Sequence, residues 1–395
     1  MASSHQHAHK HKKDARHPFE CVALLLQGGG ALGAYQAGVY EALAEADVEP
    51  DWVAGISIGA INAAIIAGNA PNERVNKLRE FWHSVTIDEL WYYPEDFRSL
   101  LVRDNARHQA INFMSAMNTI FNGIPGFFTP RFINPFIAEK CSKAAISFYD
   151  TKKLKSTLER LVDFDRINND DIRFNVGVVN VETGNFMDFN NQEHRITPEH
   201  VMASGALPPG FPPIEIDGKH YWDGGLISNT PLQWIVDSKI YMDTLVFQVD
   251  LWSASSNNFP HNIADVYTRQ KDIQYSSRTR ANTDRFKEHH KLSHQISSLI
   301  KKLPPELQKL PEVGLLKQHV NDHLYNIVHL IYHNKDYEGY SKDFEFSRLS
   351  MKAHWQSGYD DTIKTLQNPA VLKLPTNKEG VAIFDFSAHN KSAPS

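Results

Sequence analysis

A serine flanked by glycines is the residue of this sequence best placed to do chemistry. Ser57 lies in the run Gly55-Ile56-Ser57-Ile58-Gly59, after the apolar residues 52–54 and before a run of small and apolar residues. This order predicts a strand, a sharp turn and a buried helix, with the serine hydroxyl exposed at the turn as a nucleophile. Gly55 and Gly59 would leave room where strand and helix meet. Taken alone the pattern is weak, because Gly-x-Ser-x-Gly also occurs in ordinary turns.

A glycine-rich turn lies upstream of this serine. Gly28-Gly29-Gly30-Ala31-Leu32-Gly33 follows the apolar run 21–27 and precedes a segment with apolar residues at helical spacing. Its spacing leaves two roles open: the backbone N–H groups could cradle a phosphate, or they could bind the oxyanion of an acyl intermediate. No acidic residue follows at the position that dinucleotide binding requires, since Asp51 precedes its strand. The serine turn directly after the second strand favours the oxyanion role.

The base that would activate the serine is less clearly marked. Asp223 follows a hairpin predicted over 214–222 and precedes Gly224 and Gly225, which is a setting for an exposed catalytic carboxylate. Asp-Gly-Gly is also a common turn. None of the 20 histidines lies in a motif that marks it as a base, so the residues alone do not decide the partner of Ser57.

The elements around these motifs alternate between strands and helices, which predicts an α/β fold. Ile172–Val181 and Phe186–Phe189 predict a hairpin around Gly184-Asn185. Between them and the serine turn, residues 111–136 mix aromatic residues and methionine with glycine and proline. This mixture predicts short helices and loops, which form either the wall or lid of an apolar pocket or an ordinary part of the core.

Together the motifs resemble the patatin-like phospholipase family. The glycine-rich turn, the serine turn, Ala203-Ser204-Gly205-Ala206-Leu207-Pro208, Phe211-Pro212-Pro213 and Asp223-Gly224-Gly225 occur in the family's order. The resemblance covers about Phe19 to Leu251. It implies a three-layer α/β fold, related to the α/β-hydrolases, with a mostly parallel central sheet.

The resemblance also assigns roles to residues. Ser57 would be the nucleophile and Asp223 its base, without a catalytic histidine, a metal or any other cofactor. Backbone N–H groups of Gly28, Gly29, Gly30 and Ile58 would form the oxyanion hole. Ser57 would be acylated, and water would then release the fatty acid. One departure concerns Leu32, which stands where the family usually has Arg or Lys, and it puts the substrate class in doubt more than the reaction.

Three regions are expected along the chain: a disordered His/Lys-rich arm over 1–18, a catalytic domain over 19–254 and a mostly helical C-terminal extension over 255–395. The extension is similar to an uncharacterised one in a bacterial branch of patatin-like proteins, which gives it no function. We expect it to cover the catalytic domain or to form a homodimer contact. Val313 to His333 carries apolar residues at helical spacing.

A basic helix is predicted between residues 265 and 300 of the extension. It would contact anionic lipid headgroups transiently, contact a partner, or be a solvated face. Its cations are Arg269, Lys271, Arg278, Arg280, Arg285, Lys287 and Lys291.

Composition narrows the functional classes. The formal net charge of −5 argues against a nucleic-acid partner. The chain lacks an apolar run of about 18 residues, and its two cysteines have no metal-ligand spacing. We therefore expect a cytoplasmic protein that acts on a lipid or another acyl ester. The leading hypothesis is a serine acyl-ester hydrolase of the phospholipase A or lysophospholipase type. The alternatives are a short-chain or hydroxyacyl ester or thioester hydrolase and a catalytically weak lipid-binding scaffold.

Overall fold

The computed structural model describes residues 17–87, 105–140, 142–169, 171–229, 232, 234, 242–256, 259–317, 320–377 and 379–386. In its helices, the side chains of residues 106 and 277–282 are not described. Nearly all of the predicted arm over 1–18 therefore lies outside the described residues. So do Cys141 and the side chains of Arg278 and Arg280 in the predicted basic helix.

A mixed sheet of nine strands forms the centre of the described part of the chain. Its strands are β1 (Cys21–Leu26), β2 (Trp52–Gly55), β5 (Arg173–Asn180), β6 (Phe186–Asn190), β7 (Ile214–Ile216), β8 (Lys219–Asp223), β9 (Thr244–Asp250), β10 (Tyr325–Ile331) and β11 (Val381–Asp385). Six of them are parallel, in the order β11-β10-β9-β1-β2-β5. β6 and β8 pair antiparallel with β5, and β7 pairs antiparallel with β8. The predicted hairpin of β5 and β6 is confirmed.

The strands at the centre are apolar throughout because both faces of the sheet are covered. Successive side chains of β1 enter two separate clusters: Val22, Leu24 and Leu26 belong to one, and Cys21, Ala23 and Leu25 to the other. Alternation with a period of two places these clusters on opposite faces of the sheet. The predicted three-layer α/β architecture is confirmed.

Helices supply the outer layers. They are α1 (Ala34–Glu45), α2 (Ile58–Ala67), α3 (Pro71–Ser84), α4 (Asn105–Asn122), α5 (Lys152–Leu161), α6 (Phe164–Asn168), α7 (Pro198–Ser204), α8 (Ile263–Lys302), α9 (Pro311–Lys317) and α10 (Arg348–Leu366). Two further two-residue strands, β3 (Thr129–Pro130) and β4 (Tyr149–Asp150), pair with each other outside the main sheet. None of the described helices combines the length and the apolar character needed to cross a bilayer.

The C-terminal region joins the same sheet. Its long helices α8 and α10 agree with the expected helical character, and α10 packs so closely on α1 that a Cβ on Gly38 would collide with the carbonyl oxygen of Trp355. However, β10 and β11 extend the sheet beyond β9. The helical spacing over 313–333 was therefore misleading: α9 ends at Lys317, and residues 325–331 form a strand that is paired on both edges.

The segment over 105–150 also differs from its prediction. Short helices were expected over 111–136, yet α4 is a single helix of 18 residues. It ends at Asn122 because Gly123 adopts a positive φ of 72°. After this turn the chain contributes β3 and β4, which close a loop at its two ends.

Candidate active site

Ser57 occupies a strained turn between β2 and α2. Its φ of 57° and ψ of −123° lie in a region that non-glycine residues rarely adopt. A Cβ on Gly55 would collide with the carbonyl oxygen of Gly59, and one on Gly59 with the carbonyl oxygen of Leu26. The strand, the turn and the buried helix thus have the geometry that the sequence predicts for a nucleophile elbow.

The backbone of the elbow is fixed from the opposite side by Ser204, the last residue of α7. The N–H group of Ser57 donates to Ser204 Oγ at 3.0 Å. The Ser204 hydroxyl donates in turn to the carbonyl oxygen of Gly177 in β5 at 2.7 Å. The N–H group of Ser57 is thus occupied, whereas the N–H of Ile58, the first residue of α2, has no acceptor among the described residues.

The register of the sheet brings Asp223 to this turn. Gly55, the last residue of β2, is opposite Val176 of β5, and Asp223, the last residue of β8, is opposite Val178. β6 pairs with β5 over 175–179, which includes residues of β5 that pair with β2 and others that pair with β8. A strand has only two edges, so β2 and β8 both lie on the edge of β5 opposite to β6. The C-terminal ends of β2 and β8 therefore meet beside Gly177.

Asp223 is buried rather than exposed, which corrects the expectation of an exposed carboxylate. Only 2% of the residue is accessible. Burial raises the pKa of its carboxyl group to about 7, although hydrogen bonds from Ser57 and from the N–H group of Gly225 partly oppose this rise. The Gly225 bond to Oδ1 measures 2.7 Å. The sheet register thus brings the two predicted dyad residues close together, and Ser57 influences the pKa of Asp223.

The glycine-rich turn lies against the elbow. A Cβ placed on Gly28 would be 3.1 Å from Ser57 Cβ. The Gly28 carbonyl accepts two buried hydrogen bonds, from Asn229 Nδ2 at 2.8 Å and from Trp252 Nε1 at 2.9 Å. These bonds fix the Gly28–Gly29 peptide, and because a trans peptide points its N–H opposite to its C=O, they fix the Gly29 N–H as well.

Four backbone N–H groups predicted to form the oxyanion hole remain available for a ligand. Among the described residues, no acceptor is paired with the N–H groups of Gly28, Gly29, Gly30 and Ile58. Gly30 has a positive φ of 57°, and a Cβ there would collide with the carbonyl oxygen of Asp343. Only glycine fits this position without displacing the neighbouring chain.

Residues of the C-terminal region support the glycine-rich turn. The carbonyl oxygen of Asp343 accepts the N–H of Ala31 at 2.8 Å, and its side chain pairs with Lys271 at 2.8 Å.

Lys342 supports the Trp252 ring in the same region. This buried lysine pairs with Asp272 at 2.6 Å, and its Nζ lies 4.7 Å from the centre of the ring. Sequence reasoning gave no role to Trp252 or Asn229. Ser204 appeared only within a family motif.

Leu32 is fully buried and packs in the main apolar cluster. This position therefore contributes no cation to the site. Lys271 and Lys342, which lie close to the glycine-rich turn, are each paired with an aspartate.

One group of side chains has the composition of a metal site but lies elsewhere. Ligand atoms of Glu20, Asp243 and His323 are within 4.8 Å of one another. They precede β1, β9 and β10, at the end of the sheet opposite to Ser57. Both carboxylates accept backbone N–H groups: Glu20 from Asp243 at 2.9 Å and Asp243 from Leu324 at 2.8 Å. These bonds connect the segments that precede β1, β9 and β10, so the cluster has a structural role without a metal ion.

The fold and the site define an α/β protein with a serine elbow and a buried carboxylate. A family model described as patatin-like phospholipase matches residues 24–233, and a second, described as patatin phospholipase, matches residues 273–378. The chain belongs to the patatin-like phospholipase family.

Individual relatives are more distant. The chain is 33% identical over 72 residues to triacylglycerol lipase SDP1L of Arabidopsis thaliana, which is 18% of this chain and 9% of that protein. The matched part thus spans about a tenth of the length of that curated relative. Among solved structures, VipD from Legionella pneumophila aligns over 88% of this chain and 67% of its own, with 13% identity and a TM-score of 0.38.

Proposed function

We propose that this protein is a serine acyl-ester hydrolase that uses a Ser57–Asp223 dyad and forms an acyl-enzyme. The observation that carries the proposal is the meeting of the ends of β2 and β8, which brings Ser57, in its strained elbow, close to the buried carboxyl group of Asp223. A serine hydroxyl is a poor nucleophile until a base accepts its proton. Asp223 is the carboxyl group that the sheet register brings to the serine turn, and Ser57 lowers its pKa.

Acylation follows from this arrangement. Ser57 Oγ attacks the carbonyl carbon of the ester while its proton passes to Asp223. The N–H groups of Gly29, Gly30 and Ile58 stabilise the negative oxygen of the tetrahedral intermediate. When the intermediate collapses, the bond to the alcohol breaks, and the alcohol leaves with the proton from Asp223.

Deacylation repeats these steps with water. Water attacks the acyl carbon and gives its proton to Asp223. The bond between the acyl carbon and Ser57 Oγ then breaks, Ser57 regains a proton, and the carboxylic acid leaves. A base with a pKa of about 7 suits both directions of proton transfer near neutral pH.

The phospholipase A or lysophospholipase type is the finer form of the proposal, and it rests on family membership. The second candidate is a hydrolase of short-chain or hydroxyacyl esters or thioesters. The burial of Leu32 favours it, because the position that usually holds a cation in the family supplies none to an anionic headgroup. The lipid-binding scaffold has no comparable support at the site.

Labelling with a fluorophosphonate probe tests the dyad. We expect wild-type protein to label at Ser57, Ser57→Ala to show no labelling, and Asp223→Asn to label at least about a hundredfold more slowly, since base catalysis contributes about 10²–10⁴. Asp250→Asn is the matched control, because Asp250 is also a buried carboxylate that ends a strand. A folded wild-type protein that does not label, or equal effects of Asp223→Asn and Asp250→Asn, would refute the proposal.

Hydrolysis of p-nitrophenyl esters of increasing acyl length, compared with that of phosphatidylcholine and lysophosphatidylcholine, separates the two substrate classes. Preference for long chains and for the phospholipids supports the lipid acyl hydrolase. A maximum at butyrate, with no release of fatty acid from either lipid, supports the second candidate.

A further inference from the structure

A cluster of exposed apolar side chains lies between residues 113 and 148. We call it the apolar surface; it comprises Phe113, Met114, Phe121, Phe132, Ile133, Phe136, Ile137, Ile146 and Phe148. Five of the six most exposed large apolar side chains among the described residues belong to it. The rings of Phe136 and Phe148 are in contact, with centroids 6.2 Å apart, and exposed apolar patches mark interaction sites on soluble proteins.

Helix α4 buries mainly polar side chains and exposes apolar ones, unlike a helix that packs on an apolar core. Its buried residues are His108, Asn112, Ser115, Ala116 and Thr119, four of which are polar, whereas Phe113, Met114 and Phe121 are exposed. An amphipathic helix normally buries its apolar face. The outward apolar face of α4 therefore needs an apolar environment outside the described protein.

The loop after α4 is held in place rather than loosely attached. β3 and β4 pair at its two ends, and Arg131 bonds to Ser147 Oγ at 3.0 Å and to Asp150 at 3.3 Å. From this closed base the loop presents Phe132 and Phe136 to solvent, with Phe132 fully exposed.

This loop is connected to the candidate active site. The N–H groups of Phe148 and Tyr149 donate to the carbonyl oxygens of Pro209 and Gly210 at 3.1 and 2.9 Å. A few residues earlier, the carbonyl of Ala206 accepts the N–H of Asp223 at 3.1 Å. The base of the loop and the dyad aspartate are thus attached to the same short segment of chain.

Charge identifies the complementary partner. Residues 105–153 contain six Lys and Arg against two Asp and Glu, in a chain whose net charge is −5. Within the described residues no ion-pair partner is present for the exposed cations Arg107, Lys140, Lys143 and Lys153. Apolar side chains with a basic surround match the acyl and phosphate layers of an anionic bilayer.

The basic helix predicted from the sequence is less suited to this role. Within α8, Lys271 pairs with Asp343, Lys287 and Lys291 pair with Glu379, and Lys301 pairs with Asp322. Each of these cations already lies within ion-pair distance of one of the protein's own carboxylates, and Lys287 and Lys291 share one.

We propose that the apolar surface docks this protein on an anionic lipid bilayer. Phe132, Phe136 and Ile137 enter the boundary between headgroups and acyl chains, while Lys140 and Lys143 contact lipid phosphates. The role of docking rests on the proposed function, because docking would present lipid to the dyad. Binding to the bilayer itself requires no hydrolysis.

Sedimentation with vesicles tests the docking. The full chain carrying Ser57→Ala is mixed with vesicles of phosphatidylcholine, with or without phosphatidylglycerol, so that failure of the catalytic proposal does not affect the result. We expect binding that increases with phosphatidylglycerol. The combined changes Phe132→Ser, Phe136→Ser and Ile137→Ser should weaken it at least about tenfold, because the inserted apolar area is lost.

The matched control replaces three exposed apolar residues elsewhere, with Phe259→Ser, Leu299→Ser and Leu315→Ser. We expect it to leave vesicle binding unchanged. Equal losses in both triple variants, or unchanged binding in the Phe132/Phe136/Ile137 variant, would overturn the proposal.

Charge is tested separately. Lys140→Glu and Lys143→Glu should each weaken binding to the phosphatidylglycerol vesicles at least about fivefold, since the loss of one cation alone costs about 1 kcal/mol. Lys309→Glu and Lys317→Glu are the controls. Light scattering of the Ser57→Ala protein provides a further check: a dimer that becomes monomeric in the Phe132/Phe136/Ile137 variant would show that a second copy covers the surface, which contradicts lipid docking.

Discussion

The hydroxyl group of Ser204 accepts the backbone N–H of Ser57 at 3.0 Å and so fixes the nucleophile from behind. It also bonds to Gly177 in β5, the residue beside which β2 and β8 meet. One fully buried hydroxyl therefore connects the elbow to the strand that positions Asp223. The strained φ of Ser57 can persist because these neighbours hold it there.

Replacing this hydroxyl should impair catalysis without unfolding the protein. Ser204→Ala leaves the Gly177 carbonyl and the Ser57 N–H without their partner, and an unsatisfied buried group costs about 1–3 kcal/mol. We expect kcat and the rate of fluorophosphonate labelling to fall about tenfold or more, with little change in KM. The control is Ser350→Ala, since Ser350 is equally buried and its Oγ has no hydrogen-bond partner among the described residues. Equal rates in Ser204→Ala and Ser350→Ala would show that the Ser204 hydroxyl does not position Ser57 for catalysis.

The rate should depend on the ionisation of Asp223. Its carboxyl group must be deprotonated to accept the Ser57 proton, and burial raises its pKa to about 7. We expect kcat/KM for p-nitrophenyl butyrate to increase tenfold per pH unit below this pKa and to level off above it. In Asp223→Asn the residual rate should lack this step. A wild-type profile that is flat between pH 5 and 8 would contradict the assignment of Asp223 as the base.

The same carboxyl group should limit stability at high pH. A pKa that is higher in the folded state than in the unfolded state means that the folded state binds the proton more tightly. The free energy of unfolding then decreases from about pH 4 to about pH 7 and remains lower above it. Asparagine does not ionise, so Asp223→Asn should gain stability relative to wild type over this window, by about 4 kcal/mol at most.

Urea unfolding at a series of pH values measures this difference. Ser57→Ala serves as a comparison, because losing the hydrogen bond that lowers the Asp223 pKa should move the window to higher pH. A stability difference that does not vary with pH would show that Asp223 is already ionised throughout.

The Gly28 carbonyl provides a test of the oxyanion hole. Trp252→Phe keeps the aromatic ring but removes the N–H that donates to this oxygen at 2.9 Å. We expect kcat to fall about fivefold for a bond of about 1 kcal/mol, and further when Asn229→Ala is added. Trp355→Phe is the control, because its indole bonds instead to Glu41 in α1. A fall in Trp355→Phe as large as that in Trp252→Phe would indicate a general loss of packing.

The sequence was sufficient to predict the local geometry of the elbow, whereas the pairing of Ser57 with Asp223 stays a prediction. Small residues at fixed spacing report on close approaches of the backbone, and the family resemblance supplied the distant aspartate. Burial of Asp223 was not predicted, because it depends on β8 meeting β2 along one edge of β5, a relationship between segments far apart in the chain.

Other errors arose where tertiary structure overrides local patterns. Residues 325–331 carry apolar side chains at intervals that suit a helix, but their position between β9 and β11 makes them a strand. Trp252 and Asp343 contact the glycine-rich turn from positions more than 200 residues away. No local signal in a single sequence identifies such partners.

The position of β9 determines whether the N-terminal part of the chain can be expressed as a separate fragment. β9 lies between β1 and β10, so a fragment ending at residue 254 would keep the dyad yet lose the partner of one edge of the central strand. Seven buried residues would then present unpaired peptide groups to other copies of the fragment. Expression of this fragment should therefore yield aggregates, whereas a second polypeptide supplying residues 255–395 should restore soluble protein with the proposed activity.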